Sequence, residues 1–122
     1  METLLVVDDE AHQRMLYQEE LSDEGYQIIL ARNGKEAIEK VLKIVPDLIV
    51  LDIRMPVMDG LEALGKIIGK ERGIPIIIHS AYSSYKDDFM SWAADDFVVK
   101  SADLTELKRK IRGLLDKKKA EK

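Results

Sequence analysis

The chain has no cysteine, so no disulfide is available to it, which fits a reducing compartment. No apolar run approaches the ~20 residues of a membrane span, and Met1 leads straight into a strand-like segment rather than a signal peptide. A cytoplasmic protein is expected, with no membrane contact. Basic charge is in short supply: 19 Lys and Arg stand against 23 Asp and Glu, for a net charge of −4. Direct nucleic-acid binding is disfavoured, because neutralising phosphates needs concentrated Lys and Arg. Internal repeats, linkers and low-complexity tracts are also missing. The 122 residues therefore read as one domain over 1–122, with a core from 4 to 115 and a charged, frayed tail from 116 to 122. A chain of this length removes roughly two-thirds of its unfolded surface from water and needs no staple.

The stretch from Pro46 to Gly60 organises the rest. Leu48 to Leu51 is an apolar run that reads as a strand buried on both faces, and it delivers Asp52 at its end. Pro56 then forbids a continuing ladder, and Asp59-Gly60 supplies a turn or helix cap. Alone, a carboxylate at a strand end is an ordinary turn former. The other strands change that reading.

Leu4 to Val7 is a short apolar run that ends in Asp8-Asp9-Glu10. Three adjacent acids repel one another, a cost that a divalent cation would remove, although a solvated acidic turn is the plainer reading. Ala11 to Glu24 carries helix formers and stops at Gly25, but Met15, Leu16, Tyr17 and Leu21 make no clean stripe. Tyr26 to Ala31 is the second strand, and Asn33-Gly34 opens a helix with Ala37, Ile38, Val41 and Leu42 on one face. Leu61, Leu64 and Ile68 line a third helix capped by Asp59 and closed at Arg72-Gly73. Ile74 to Ser80 is a fourth buried strand that ends in a hydroxyl. Phe89, Trp92 and Ala93 share one face of a fourth helix, and Asp96 precedes a fifth strand, Phe97 to Val99, that ends in Lys100. The last helix has an Asp103-x-x-Glu106 capping box and a stripe of Leu104, Leu107, Ile111 and Leu114.

Five strands alternating with five helices predict an α/β fold with a parallel sheet covered on both faces. Ligands of such sheets bind outside the carboxyl ends of the strands, where the winding reverses. Four of the five strands end there in polar groups: Asp8 and Asp9, Asp52, Ser80 and Lys100. That is the inventory for phosphoryl chemistry on a carboxylate: a nucleophilic oxygen, acids for a magnesium ion, and a hydroxyl and an ammonium for phosphoryl oxygens.

Asp8-Asp9, the block from Asp52 to Gly60, Ser80-Ala81 and Lys100 resemble those of bacterial response-regulator receiver domains, and the resemblance covers Leu4 to about Leu115. It implies the flavodoxin-like, doubly wound fold with strand order 2-1-3-4-5. It implies that Asp52 accepts a phosphoryl group from the phosphohistidine of a sensor histidine kinase or a histidine phosphotransfer protein. Asp9, Asp52 and the carbonyl of Arg54 would ligate Mg2+, with Asp8 assisting through water, while Ser80 and Lys100 would bind phosphoryl oxygens. Ser80 and Phe97 match a switch pair that would alter the face made by the fourth helix, fifth strand and fifth helix, where a downstream effector protein would read it. A monomer or a phosphorylation-dependent dimer is expected. By their offsets of two beyond Asp52 and Ser80, Arg54 and Tyr82 should roof the site and slow hydrolysis.

Two departures stand out. Ser101 follows Lys100 where the family usually has proline in a cis bond; a cis bond to serine would cost about 3 kcal/mol, so either that strain is kept or the loop is trans. Ala93-Ala94 stands where glycine is common. Among competing classes, a small phosphatase of the haloacid-dehalogenase type needs a second acid two residues after its nucleophile, and here that position is Arg54. A flavin carrier needs a Ser/Thr/Gly-rich phosphate loop after the first strand, and none is present. His12 and His79 lack metal-pair spacing and read as surface-helix and strand residues, Trp92 as core or helix face, and Met55 and Met58 as loop packing. A stand-alone relay and a receiver cut from a longer regulator both remain open.

Overall fold

The computed structural model describes residues 1–52, 73–80, 95–100 and 103–120. Its strands are β1 (Thr3–Val7), β2 (Gln27–Ala31), β3 (Leu48–Asp52), β4 (Ile76–Ser80) and β5 (Asp96–Val99). They form one parallel sheet in the order β2-β1-β3-β4-β5, the doubly wound, flavodoxin-like arrangement expected. Three helices fall among the described residues: α1 (Ala11–Ser22), α2 (Gly34–Lys43) and α3 (Thr105–Ala120). The helices expected around residues 61–68 and 89–93 lie outside them.

The sheet is buried because each strand alternates between two apolar layers. Leu5, Val7, Ile49, Leu51, Ile76 and Ile78 meet Ala37 and Val41 of α2 on one face. Leu4, Val6, Leu48, Val50 and Ile77 meet α1 and α3 on the other. Only Tyr17 and Leu21 are buried on α1, one turn apart, while Met15 and Leu16 are exposed, which explains why the sequence shows no stripe there. On α2, Leu42 departs from the expected face and is 69% exposed. It lies in the last turn of α2. Leu107, Ile111 and Leu115 of α3 are buried, as is Leu104 just before it, with Leu114 only partly so.

Local chemistry sets the ends of these elements. Asn33 caps α2 by accepting the Glu36 N–H at 2.8 Å, and Glu36 reaches back to accept the Arg32 N–H at 3.2 Å. The guanidinium of Arg32 holds the Glu36 carboxyl below its usual range. Gly25 and Gly73 take φ of +93° and +68°, a left-handed conformation that suits glycine where α1 ends and where the chain enters β4. The α3 helix runs on through Ala120, past the start of the tail expected to fray at 116. Lys119 pairs with Glu2 at 3.2 Å and Lys118 donates to the Asp47 carbonyl at 3.5 Å, tying that last turn to the base of the sheet.

The amino ends of the strands are fastened by a repeated device. Asp47, just before β3, donates its N–H to the Thr3 carbonyl at 2.7 Å and accepts the Thr3 N–H on its carboxylate at 2.7 Å. Asp95, just before β5, does the same to Ile76 at 2.7 and 2.8 Å. Each acid thus supplies the ladder partners that the first residue of the neighbouring strand would lack.

Candidate functional site at the carboxyl edge of the sheet

The chain leaves β1 for β2 on one side and reaches β3 on the other, so the winding reverses between β1 and β3. Val7 pairs with Leu51, and the next residue on each strand is a carboxylate, Asp8 and Asp52. Adjacent strands lie about 4.8 Å apart, so these two backbones flank the reversal point.

Asp8 is buried, with its Oδ1 accepting the Glu10 N–H at 3.0 Å. Its N–H extends the ladder to the Ala31 carbonyl at 3.0 Å, and its own carbonyl accepts from Arg14 Nη1 at 2.7 Å. Those contacts fix the turn from β1 into α1 and hold Asp8 at the rim. Asp9 follows it and is exposed.

On the far side of β3, Asp52 pairs in register with His79 and the next residue is Ser80, which is 1% exposed. The Ser80 carbonyl accepts the Lys100 N–H at 2.8 Å, so the hydroxyl-bearing and ammonium-bearing residues are joined through the backbone. Ile78 pairs with Phe97, and Ser80 with Val99. By alternation Ser80 and Phe97 occupy one face of the sheet as diagonal neighbours, with Phe97 buried against the α2 layer.

The structure therefore brings Asp8, Asp9, Asp52, Ser80 and Lys100 to one edge. The side chain of Asp52, together with Arg54, Tyr82, Ala93, Ala94 and the Lys100-Ser101 peptide, lies outside the described residues. Among the described residues no group of three or more His, Cys, Asp or Glu could hold a metal ion. Two of the expected ligands, the Asp52 carboxylate and the Arg54 carbonyl, fall beyond that set.

His79, an ordinary strand residue by its sequence pattern, belongs to a buried pair: its Nδ1 lies 2.5 Å from the Tyr17 hydroxyl, with both side chains buried. The available signal was a lone imidazole closing a run of three isoleucines, Ile76 to Ile78.

Residues 4–112 match the pattern of the response regulator receiver domain. The chain belongs to that family. The response regulator TrrA of Thermotoga maritima, solved with Mg2+ and BeF, is 49% identical with a TM-score of 0.82, over 93% of this chain and 99% of that one. TrrA solved in complex with the histidine kinase ThkA is 50% identical with a TM-score of 0.80, over 94% of this chain and 99% of that one. Among curated relatives, a probable transcriptional regulator, ycf27, of Pyropia yezoensis is 40% identical over 93% of this receiver and 47% of its own length. Response regulator MprA of Mycobacterium tuberculosis is 36% identical over 97% of this receiver and 52% of its own length. The receiver thus spans about half the length of the curated relatives it matches. Nothing in these likenesses supports the phosphatase reading. No helix among the described residues is long and apolar enough to cross a membrane.

Proposed function

We propose that this receiver takes a phosphoryl group on Asp52 from the phosphohistidine of a sensor histidine kinase or histidine phosphotransfer protein, in the cytoplasm. One observation carries the reading: Asp8, Asp52, Ser80 and Lys100 come from four neighbouring strands to one edge, two of them flanking the reversal point. A carboxylate oxygen of Asp52 attacks phosphorus, the P–N bond to the donor imidazole breaks, and its electron pair returns to that nitrogen, which takes a proton. The product is an acyl phosphate. In this reading the Ser80 hydroxyl donates to one phosphoryl oxygen and the Lys100 ammonium meets another.

The donor set fits Mg2+, a hard cation that takes carboxylate, carbonyl and water oxygens. Asp9, Asp52 and the Arg54 carbonyl would hold it, with Asp8 assisting through water, and when bound it would draw off charge from the phosphoryl oxygens. The receiver then acts on itself alone, with Mg2+-dependent phosphorylation and dephosphorylation. Rearrangement of Ser80 and Phe97 would carry the change to a downstream effector protein.

Incubation with acetyl phosphate and Mg2+ should add one phosphoryl group, and a chelator should prevent it. Equal labelling of the Asp52→Asn variant would refute the assignment.

A further inference from the structure

The layer that α1 and α3 lay over the sheet is apolar, with Val50, Ile77, Val98, Leu107 and Ile111 all 2% exposed or less. Within it, among the described residues, lies a buried polar pair. The Tyr17 hydroxyl is hydrogen-bonded to His79 Nδ1 at 2.5 Å, and the two rings meet edge-on at 5.7 Å and 72°. Tyr17 is fully buried and His79 is 3% exposed.

The position of the pair is what matters. Replacing two hydrogen-bonded partners by apolar groups of similar shape can be nearly neutral for stability, so filling space does not require a polar pair here. An apolar contact tolerates sliding, whereas a buried hydrogen bond fixes one geometry. His79 is the register partner of Asp52 on one side and Val98 on the other. It is bonded directly to Ser80, whose carbonyl holds the Lys100 N–H at 2.8 Å. Successive side chains point to opposite faces, so fixing the imidazole against α1 fixes the rotation of β4 that aims Ser80 the other way.

We propose that the Tyr17–His79 hydrogen bond is a positioning device for phosphoryl transfer: it anchors the carboxyl end of β4 to α1 and thereby sets Ser80 and Lys100 against Asp52. This rests on the assignment of Asp52 as the phosphoryl acceptor. In this proposal Tyr17 and His79 act on the reaction without contacting the phosphoryl group or the metal. Their effect passes through the strand.

The test separates positioning from stability. Tyr17→Phe, His79→Leu and the double variant are made in the full chain. Each is followed by its urea midpoint, its Mg2+ affinity by calorimetry, and its rate of phosphorylation by acetyl phosphate at saturating Mg2+. The single variants should lose stability, because each leaves one buried partner without the other. The double variant should regain most of it and bind Mg2+ within twofold of wild type, yet be phosphorylated at least fivefold more slowly. A folded double variant whose rate falls by less than fivefold overturns the proposal. Should the double variant lack a native near-ultraviolet circular dichroism spectrum, Tyr17→Phe at low temperature is judged by the same fivefold criterion. A wild-type chain that takes no phosphoryl group at Asp52 overturns the acceptor assignment itself, and the positioning role with it.

Discussion

Glu2 and Arg112 join the residue just before β1 to α3, and breaking that pair should destabilise the receiver in a pH-dependent way. The carboxylate accepts from Arg112 Nη1 at 2.9 Å and Nη2 at 2.7 Å, a two-pronged geometry, and Lys119 adds a third contact at 3.2 Å. The guanidinium also reaches Asp116 at 2.9 Å and lies over the Tyr26 ring, 5.9 Å from its centroid. Chiefly through Arg112, the Glu2 carboxyl is lowered from 4.5 to about 2. A shift of that size corresponds to an upper bound of about 3 kcal/mol. The Arg112 side chain is 41% exposed, and solvent screening reduces the contribution to about 1 to 1.5 kcal/mol. A depressed carboxyl pKa stabilises the fold above the unfolded value of 4.5, and that stability is lost as pH falls towards about 2. More than half of it should be gone by about pH 3. Urea unfolding of Glu2→Gln, Arg112→Met and the double variant gives the coupling energy. A coupling below about 0.3 kcal/mol at pH 7, or an equal coupling at pH 7 and pH 3, would refute the reasoning.

Asp47→Ala should lower stability by about 1 to 2 kcal/mol in urea unfolding, since the Thr3 N–H loses its acceptor, and Asp47→Asn, which keeps an acceptor oxygen, should recover most of that. Lys100→Ala should bind Mg2+ normally but fail to switch with beryllofluoride; a loss of metal affinity as large as that of Asp9→Ala would count against the assigned role. Beryllofluoride should shift amide signals from Phe89 to Leu107 in NMR spectra, whereas shifts confined to the loops around Asp9, Asp52 and Lys100 would indicate a carrier without a strong switch. Replacing Arg54 with Asn and Tyr82 with Ala should together raise the rate of aspartyl-phosphate hydrolysis about tenfold, or some 1.4 kcal/mol of barrier. A wild-type phosphoryl lifetime of only seconds would exclude the roofing role.

The strands were legible because a parallel sheet covered on both faces demands continuous apolar runs, and four of the five here stop at a charge or hydroxyl. The proposed site residues Asp52, Ser80 and Lys100 stand out for the same reason, as the positions at which the apolar pattern ends. Helix faces were harder. On α1 two buried positions one turn apart, Tyr17 and Leu21, hold the helix, and exposed Met15 and Leu16 blur the period. Partners separated by long stretches of sequence left no trace. Nothing local distinguishes Asp47 and Asp95 from ordinary turn acids, or pairs Glu2 with Arg112, because those contacts exist only once the topology has brought the segments together.

The two ends of the sheet use carboxylates in opposite ways, and the winding explains the difference. At the amino edge Asp47 and Asp95 each bind the backbone of the neighbouring strand, which completes the ladder and leaves those oxygens committed. At the carboxyl edge the winding reverses between β1 and β3, which puts Asp8 and Asp52 on the two strands that flank the reversal. Acids placed there form the proposed phosphoryl-acceptor and metal site. Asp8 shows both demands in one residue: its backbone groups and Oδ1 are engaged in shaping the turn, which fixes the carboxylate beside β3. Anchoring β4 to α1 through His79 acts on the other side of β3, where Ser80 follows the register partner of Asp52. An Arg14→Ala variant isolates the β1 side of the reversal. Without the Nη1 contact to the Asp8 carbonyl the turn into α1 should loosen and Mg2+ affinity should fall several-fold, which calorimetry would measure; unchanged affinity would show that β1 holds Asp8 without help from the helix.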